Sequence, residues 1–307
     1  VIVPFERVWS AGRPVDLGAT LAGPLCRGTA DPAHRLDAGT FWWACTTPDG
    51  DGTLALRAAG TDVHASAWGA GAAWLLDRVP TLLGADDDWT ALELADQPVL
   101  REVLRRNPGV RLPATGLVLD SLVPAILEQK VTGTEAHRAW RGLLRRFGHR
   151  APGPRYAPSD LYVPPSAREL LDVTTWDWHR LGVDGKRQRA IRAAASVARR
   201  LEECAAMPAA DAMARLRYVP GIGEWTAAET MLRVAGAPDA VSVGDFHLAN
   251  LVVHALTGRA RGTDAEMLTL LAPWAGQRAR VIRLIELSGI RPPAFGPRFA
   301  PTDIRAI

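Results

Sequence analysis

Between Thr40 and Gly69 the chain alternates apolar and polar residues with a period of two. Thr40–Thr46 is apolar and aromatic, and Pro48-Asp49-Gly50-Asp51-Gly52 then makes a turn. Leu54, Leu56 and Ala58 alternate with Ala55 and Arg57, a second turn follows at Gly60, and Val63, Ala65 and Ala67 alternate with His64 and Ser66. Such spacing predicts an antiparallel meander with one face toward a core. Asp16–Leu25 and Ala70–Leu83 (Trp74, Leu75, Val79, Leu82) read as helices flanking it. An α+β unit over 1–88, ending at the acidic turn Asp86-Asp87-Asp88, is the expectation.

Beyond that turn the periodicity becomes helical. Leu119, Leu122, Val123, Ile126 and Leu127 follow i, i+3, i+4, i+7, and Trp140, Leu143, Leu144 and Phe147 repeat the pattern up to Gly148. The Pro-rich stretch Ala151–Pro165 reads as a surface connection. A helix over Lys186–Cys204 is predicted to bury Ile191, Ala194, Ala195, Ala198 and Leu201 and to show Arg189, Arg192, Arg199 and Arg200 elsewhere. No internal repeat is visible. A helical body over 89–290 and an extended Pro-rich tail over 291–307 complete the expected α+β organisation.

Composition narrows the class. At 307 residues, with 48% hydrophobic and 22% charged side chains, the chain suits a soluble globular protein of two ordinary domains. No apolar run has the length of a membrane span and no signal-peptide pattern opens the sequence, so no membrane partner is expected. Cys26, Cys45 and Cys204 are scattered without metal or disulfide spacing and fit free thiols in a reducing cytoplasm. The histidines, His247 and His254 among them, show no metal-ligand pattern. Of the 36 basic and 33 acidic side chains, only six basic ones lie in residues 1–90, against eleven acids. The remainder is therefore net basic, which points to a polyanion on one side, with ordinary solvated surface as the competing reading. The cluster Lys186, Arg187 and Arg189 fits a solvated basic face better than a contact site.

The chemistry concentrates between Ala209 and Leu256. A helix with Ala212, Leu216 and Val219 along one side meets Pro220-Gly221-Ile222-Gly223, and a second helix runs from Glu224 to about Ala235. Two glycines around one aliphatic residue permit a tight turn, anchored inward by Ile222, with backbone amides facing out at a helix N-terminus. That arrangement seats a backbone phosphate without a charged side chain. Gly-X-Gly alone also fits a plain helix-turn-helix corner.

The longer string Val219-Pro-Gly-Ile-Gly-Glu-Trp-Thr-Ala227 resembles the hairpin of the helix-hairpin-helix DNA glycosylases, most closely the AlkA-like branch that removes alkylated purines. The resemblance extends through Gly109-Val110-Arg111-Leu112-Pro113 and Ala125-Ile126-Leu127-Glu128-Gln129 to Pro273-Trp274. It implies an N-terminal sheet like half of a TATA-binding protein, then a helical body split by the active-site cleft. It implies a monomer acting on double-stranded DNA with a damaged base, near the nucleoid, without an organic cofactor. In the family the catalytic Asp follows the hairpin by about two dozen residues, and Val241-Ser-Val-Gly-Asp245-Phe-His-Leu248 occupies that place. Taken alone, an Asp before an apolar helix reads as a cap, and the two roles are compatible.

The resemblance also assigns phosphate contacts to Gly221, Ile222, Gly223 and Thr226, a base-pocket aromatic to Trp225, and duplex probing to Gln129 and Lys130. Trp225 occupies the position where bifunctional relatives such as endonuclease III carry a Schiff-base lysine, and no cysteine follows Cys204 to hold an iron–sulfur cluster. The implied reaction is hydrolysis that leaves an abasic site. Three positions depart from the pattern: Glu229 stands where a second pocket aromatic is expected, Val281–Leu287 offers no third, and Lys130 replaces an apolar wedge. Glu229, one turn from Trp225, is expected either in the pocket or in solvent. Thr134 is expected to cap the helix after Lys130. A glycosylase for a deaminated or oxidised base, or a non-catalytic lesion binder, are the alternatives.

Overall fold

A computed structural model describes residues 3–293 and, beyond them, residues 300, 301, 303 and 305. Five antiparallel strands open the chain: β1 (Phe5–Ser10), β2 (His34–Asp37), β3 (Thr40–Thr47), β4 (Gly50–Ala59) and β5 (Asp62–Gly69), in the order β1-β5-β4-β3-β2. The period-two alternation sends Phe41, Trp43, Cys45, Leu54, Leu56, Val63, Ala65 and Ala67 to one face, in register across Trp43–Leu54–Ala67. That face packs on Leu75, Val79 and Leu82 of the helix Ala72–Leu82. At Gly52 an added Cβ would lie 2.6 Å from the Leu75 side chain, so a bare glycine lets the helix sit directly on β4.

The meander over Thr40–Gly69 matches its alternation, and two further strands extend it. β1 is an edge strand with Phe5 and Val8 exposed, and β2 has only four residues, so neither carries a periodic signal. The segment expected as a helix over Asp16–Leu25 is helical without a break from Leu17, with a π-helical stretch Gly18–Ala22 running into the α-helical turn Gly23–Leu25.

The helical part has two cores. One surrounds the helix Val118–Leu127 and gathers Leu122, Ile126, Trp140, Trp178, Ile191, Leu216, Ile222 and Met231. The other joins Leu100, Val110, Leu248, Val252, Met267, Leu271, Val281 and Leu284. Leu232 packs against both, so the hairpin helix Glu224–Val234 lies along the seam between them.

Several local readings are corrected. The helix expected over Lys186–Cys204 breaks at Val197, giving Gly185–Ser196, Ala198–Glu202 and a 3₁₀ turn Glu203–Ala206. Arg187 is not solvated: it is 4% exposed and donates to the Leu127 carbonyl (2.8 Å), the Gly182 carbonyl (3.0 Å) and Asp184. The Pro-rich connection ends inside the protein, because Leu161 covers Trp42 and Trp68 on the second face of the sheet, and Val163, beside it, pairs with His149. Of the tail expected over 291–307, residues 294–299, 302, 304, 306 and 307 lie outside the described residues.

Candidate active site

The hairpin joins the helix Ala209–Leu216 to the helix Glu224–Val234. Ile222 is buried in the core beneath it, and its amide closes the turn on the Val219 carbonyl (3.0 Å). Gly221 has φ +91°, and a Cβ there would meet the Ala190 methyl at 2.7 Å, so both its conformation and its contact exclude a side chain. Gly223 precedes the helix without a side-chain cap and faces open space. The first amides of the helix Glu224–Val234 therefore open onto solvent with the positive end of its dipole.

Gln129 braces this turn. Its Nε2 donates to the Gly221 carbonyl (3.0 Å) and to the Thr226 hydroxyl (2.8 Å), tying the end of the helix Val118–Leu127 to the hairpin. Thr226 is buried, and its oxygen faces Gln129. Lys130 follows, exposed, in the left-handed region at φ 54°. The helix Gly133–Phe147 beside it is capped by Thr132, not Thr134: the Thr132 hydroxyl accepts from the Glu135 amide (3.3 Å) while Glu135 accepts from the Thr132 amide (2.9 Å). A capping box needs its Glu three residues on, and only Thr132 has one.

Asp245 ends the loop between the hairpin helix and the helix Leu248–Thr257. Its Oδ1 accepts from the amides of His247 (2.8 Å) and Leu248 (2.9 Å), so it caps the second of these helices. Its Oδ2 accepts from the Trp225 indole Nε1 at 3.0 Å. Both side chains are half-buried. Three donors on two elements thus fix the direction of one partly exposed carboxylate beside the hairpin.

No family model matches this sequence. Over 168 residues it is 32% identical to the "probable bifunctional transcriptional activator/DNA repair enzyme AlkA" of Mycobacterium tuberculosis, a match covering 54% of this chain and 33% of that protein. The chain thus spans about a third of the length of the curated relatives it matches. In structure it is similar to the 3-methyladenine DNA glycosylase of Archaeoglobus fulgidus, with a TM-score of 0.77 at 15% identity over 92% of this chain and 98% of the other. The apo 8-oxoguanine glycosylase/lyase of Clostridium acetobutylicum gives 0.69 at 13% identity over 94% and 99%. The chain has the fold of these DNA glycosylases, and over 168 residues it shares sequence with that AlkA protein.

Within this glycosylase fold the remaining expected positions are occupied differently. Glu229 is neither solvated nor open: Oε2 accepts from Arg233 (2.7 Å) and Oε1 from the Ser242 hydroxyl. Burial pushes its carboxyl up, but the Arg233 guanidinium and the Ser242 hydroxyl outweigh that and hold it below the ordinary glutamate value. Arg233 also donates to the Pro24 carbonyl (2.9 Å), reaching back to the sheet part of the chain. The arginines of the last helix, Arg278–Leu287, serve structure: Arg280 is paired with Asp87 and Arg283 holds the Ala19 carbonyl.

Sequence reasoning missed Ser242 and Arg233. Arg233 was readable, standing four residues after Glu229 on one helix. Ser242 carried no signal, because only the path of the loop brings it to Glu229. Two exposed aromatics were also unremarked, Tyr218 before the hairpin and Phe246 after Asp245, the latter edge-on to His247 with centroids 4.8 Å apart. Among the described residues no group of three metal-ligating side chains converges.

Proposed function

We propose that this chain is a monofunctional DNA glycosylase that flips a damaged purine, most readily an alkylated one, out of duplex DNA and hydrolyses its N-glycosidic bond. The observation that carries the reading is the carboxylate of Asp245, half-exposed and aimed by three hydrogen bonds next to a hairpin built to hold a phosphate. As the base departs, positive charge grows on the deoxyribose, and a preorganised carboxylate at C1′ stabilises it and orients the attacking water. A carboxylate held only by donors needs no reorganisation when that charge appears.

The other assignments follow this chemistry. The amides of Gly221 and Gly223, with Ile222 closing the turn and Thr226 and Gln129 bracing it, hold one phosphate beside the flipped nucleotide. The Trp225 indole supplies a flat, electron-rich wall that favours a cationic purine. Lys130 stands where its stem fills the gap left in the stack. Glu229, one turn on from Trp225, is held by Arg233 and Ser242. Because residue 225 is an indole, no amine is placed there to attack C1′, which supports hydrolysis without strand cleavage. A single chain supplies every group in this scheme.

An oxidised or deaminated base is the second reading, favoured by the lack of a further aromatic wall for a cationic base one turn on from Trp225, where the chain has Glu229. Duplex oligonucleotides, each with one modified base, incubated with the protein and then cleaved in alkali, decide between them. Release of 7-methylguanine or 3-methyladenine ahead of hypoxanthine and 8-oxoguanine is expected. Release of the oxidised or deaminated bases first supports the second reading, and no release from any duplex supports a lesion binder. Borohydride added during turnover should trap no covalent adduct; an adduct at Lys130 or Lys186 would contradict the monofunctional assignment.

A further inference from the structure

We infer that Glu229 is a positioning residue: through the Ser242 hydroxyl it fixes the loop that presents Asp245, and it does not touch the base. This rests on the reading of Asp245 as the catalytic carboxylate. The loop from Ala235 to His247 leaves the hairpin helix and must return Asp245 to the indole of that same helix. Its first half is tied to the segment around the last helix, where Asp239 accepts from the Arg278 guanidinium (2.7 Å) and the Gly276 amide (2.8 Å) and the Pro238 carbonyl accepts from the Ala279 amide (2.8 Å). The Ala237 amide bonds the Met231 carbonyl (3.3 Å) near the start, and the Gly244 amide bonds Asp264 (3.1 Å) near the end. Between them stands Ser242, 3% exposed, with its hydroxyl on Glu229.

Ser242 is coupled directly to Asp245, because its carbonyl accepts the Asp245 amide at 3.2 Å. Gly244 separates them in the left-handed region, with nothing near the position of its missing Cβ. A glycine in open space gives no steric resistance to displacement, so the side-chain anchor at Ser242 adds restraint next to Asp245, beyond that given by buried Val241 and by the Gly244 amide on Asp264. A shift there moves the backbone of Asp245, breaks its bond to Trp225 and misaims the carboxylate.

Glu229 is also poorly disposed to read a base. Each of its oxygens already receives a protein donor, and Arg233, on the same helix, cancels its charge. A neutral pair exerts little pull on a cationic purine, whereas an unpaired carboxylate would exert much. Arg233 is needed for a separate reason: a buried carboxylate that only held a serine would be costly without its counter-charge.

Ser242→Ala tests this with the smallest lesion, since Glu229→Ala strands Arg233 and risks unfolding. The first readout uses the protein alone: amide hydrogen exchange over residues 243–248. Faster exchange than in the parent is expected for S242A. On a duplex with one 7-methylguanine, the single-turnover rate should fall roughly 10–100-fold, the scale of a misplaced catalytic group. Affinity for a duplex carrying a tetrahydrofuran abasic analogue should stay near the parent's. Glu229→Gln, which keeps an oxygen for Ser242 but loses the charge, should leave the ratio of 7-methylguanine to hypoxanthine excision unchanged. Parental exchange and rate in S242A, or a large change of that ratio in E229Q, overturns the inference. Should the parent release no base at all, the glycosylase reading fails, while the exchange data still decide whether Ser242 anchors the loop.

Discussion

The indole of Trp225 does two things at once at the level of single residues. On the proposed reading its face meets the base, while its Nε1 spends its only hydrogen on Asp245. Trp225→Phe keeps an aromatic wall and deletes that donor. A hydrogen bond to a charged group contributes about 1.5–3 kcal/mol, so misaiming the carboxylate should lower excision roughly 10–100-fold. An unchanged rate would mean that the two backbone amides alone aim the carboxylate. Asp245 and Trp225 were each legible in the string around the hairpin. Their bond was not, because it depends on how a loop of a dozen residues closes. Glu229 shows the same limit: a helix period placed it one turn from Trp225, but its partner comes from that loop.

At the scale of elements, the hairpin and the helix that follows Lys130 carry separable loads. Gly221→Ala forces a side chain into a left-handed residue against Ala190. It should cost roughly 1–3 kcal/mol in denaturant unfolding and weaken binding to duplex DNA, because the turn can relax only by moving its outward amides. Parental stability and affinity in that variant would show that the turn tolerates a Cβ. Thr132→Ala should remove about 1 kcal/mol, whereas Thr134→Ala should change little. Elements with a long clean period were readable, as in β3 to β5 and the helix Val118–Leu127. Those whose existence depends on partners were not. β1 forms because β5 offers it an edge, and the Pro-rich connection turns inward because Trp42 and Trp68 need covering.

Polar ties join the sheet to the body across the whole molecule. Asp31 accepts from the Trp140 indole (3.1 Å), Arg27 pairs with Glu128 (2.8 Å), and Arg233 and Arg283 hold carbonyls of the segment 19–24. Many arginines that make the helical part look basic in sequence are therefore spent inside, among them Arg187, Arg233 and Arg280. A charge count could not foresee this. Asp120 faces the same seam near His34 and Trp140, where burial pushes its carboxyl up to about 6, against the opposing pull of His34. A carboxyl whose folded pKa exceeds its unfolded one contributes stability below about pH 4 that is lost as pH rises through 6. Asp120→Asn should accordingly raise stability at pH 7.5 by about 1–2 kcal/mol and flatten the profile from pH 4 to 7. Lower stability than the parent at pH 7.5 would mean that the ionised group is satisfied there.

The reading of the molecule as a glycosylase depends on the carboxylate of Asp245 acting in bond cleavage and not in binding. Comparing Asp245→Asn with the parent on one lesion-bearing duplex measures this directly, by base release under single turnover and by affinity for the tetrahydrofuran analogue. A loss of release of at least roughly 100-fold, with affinity retained or improved, is the expected result. Release at the parental rate, or equal losses of release and binding, would contradict it.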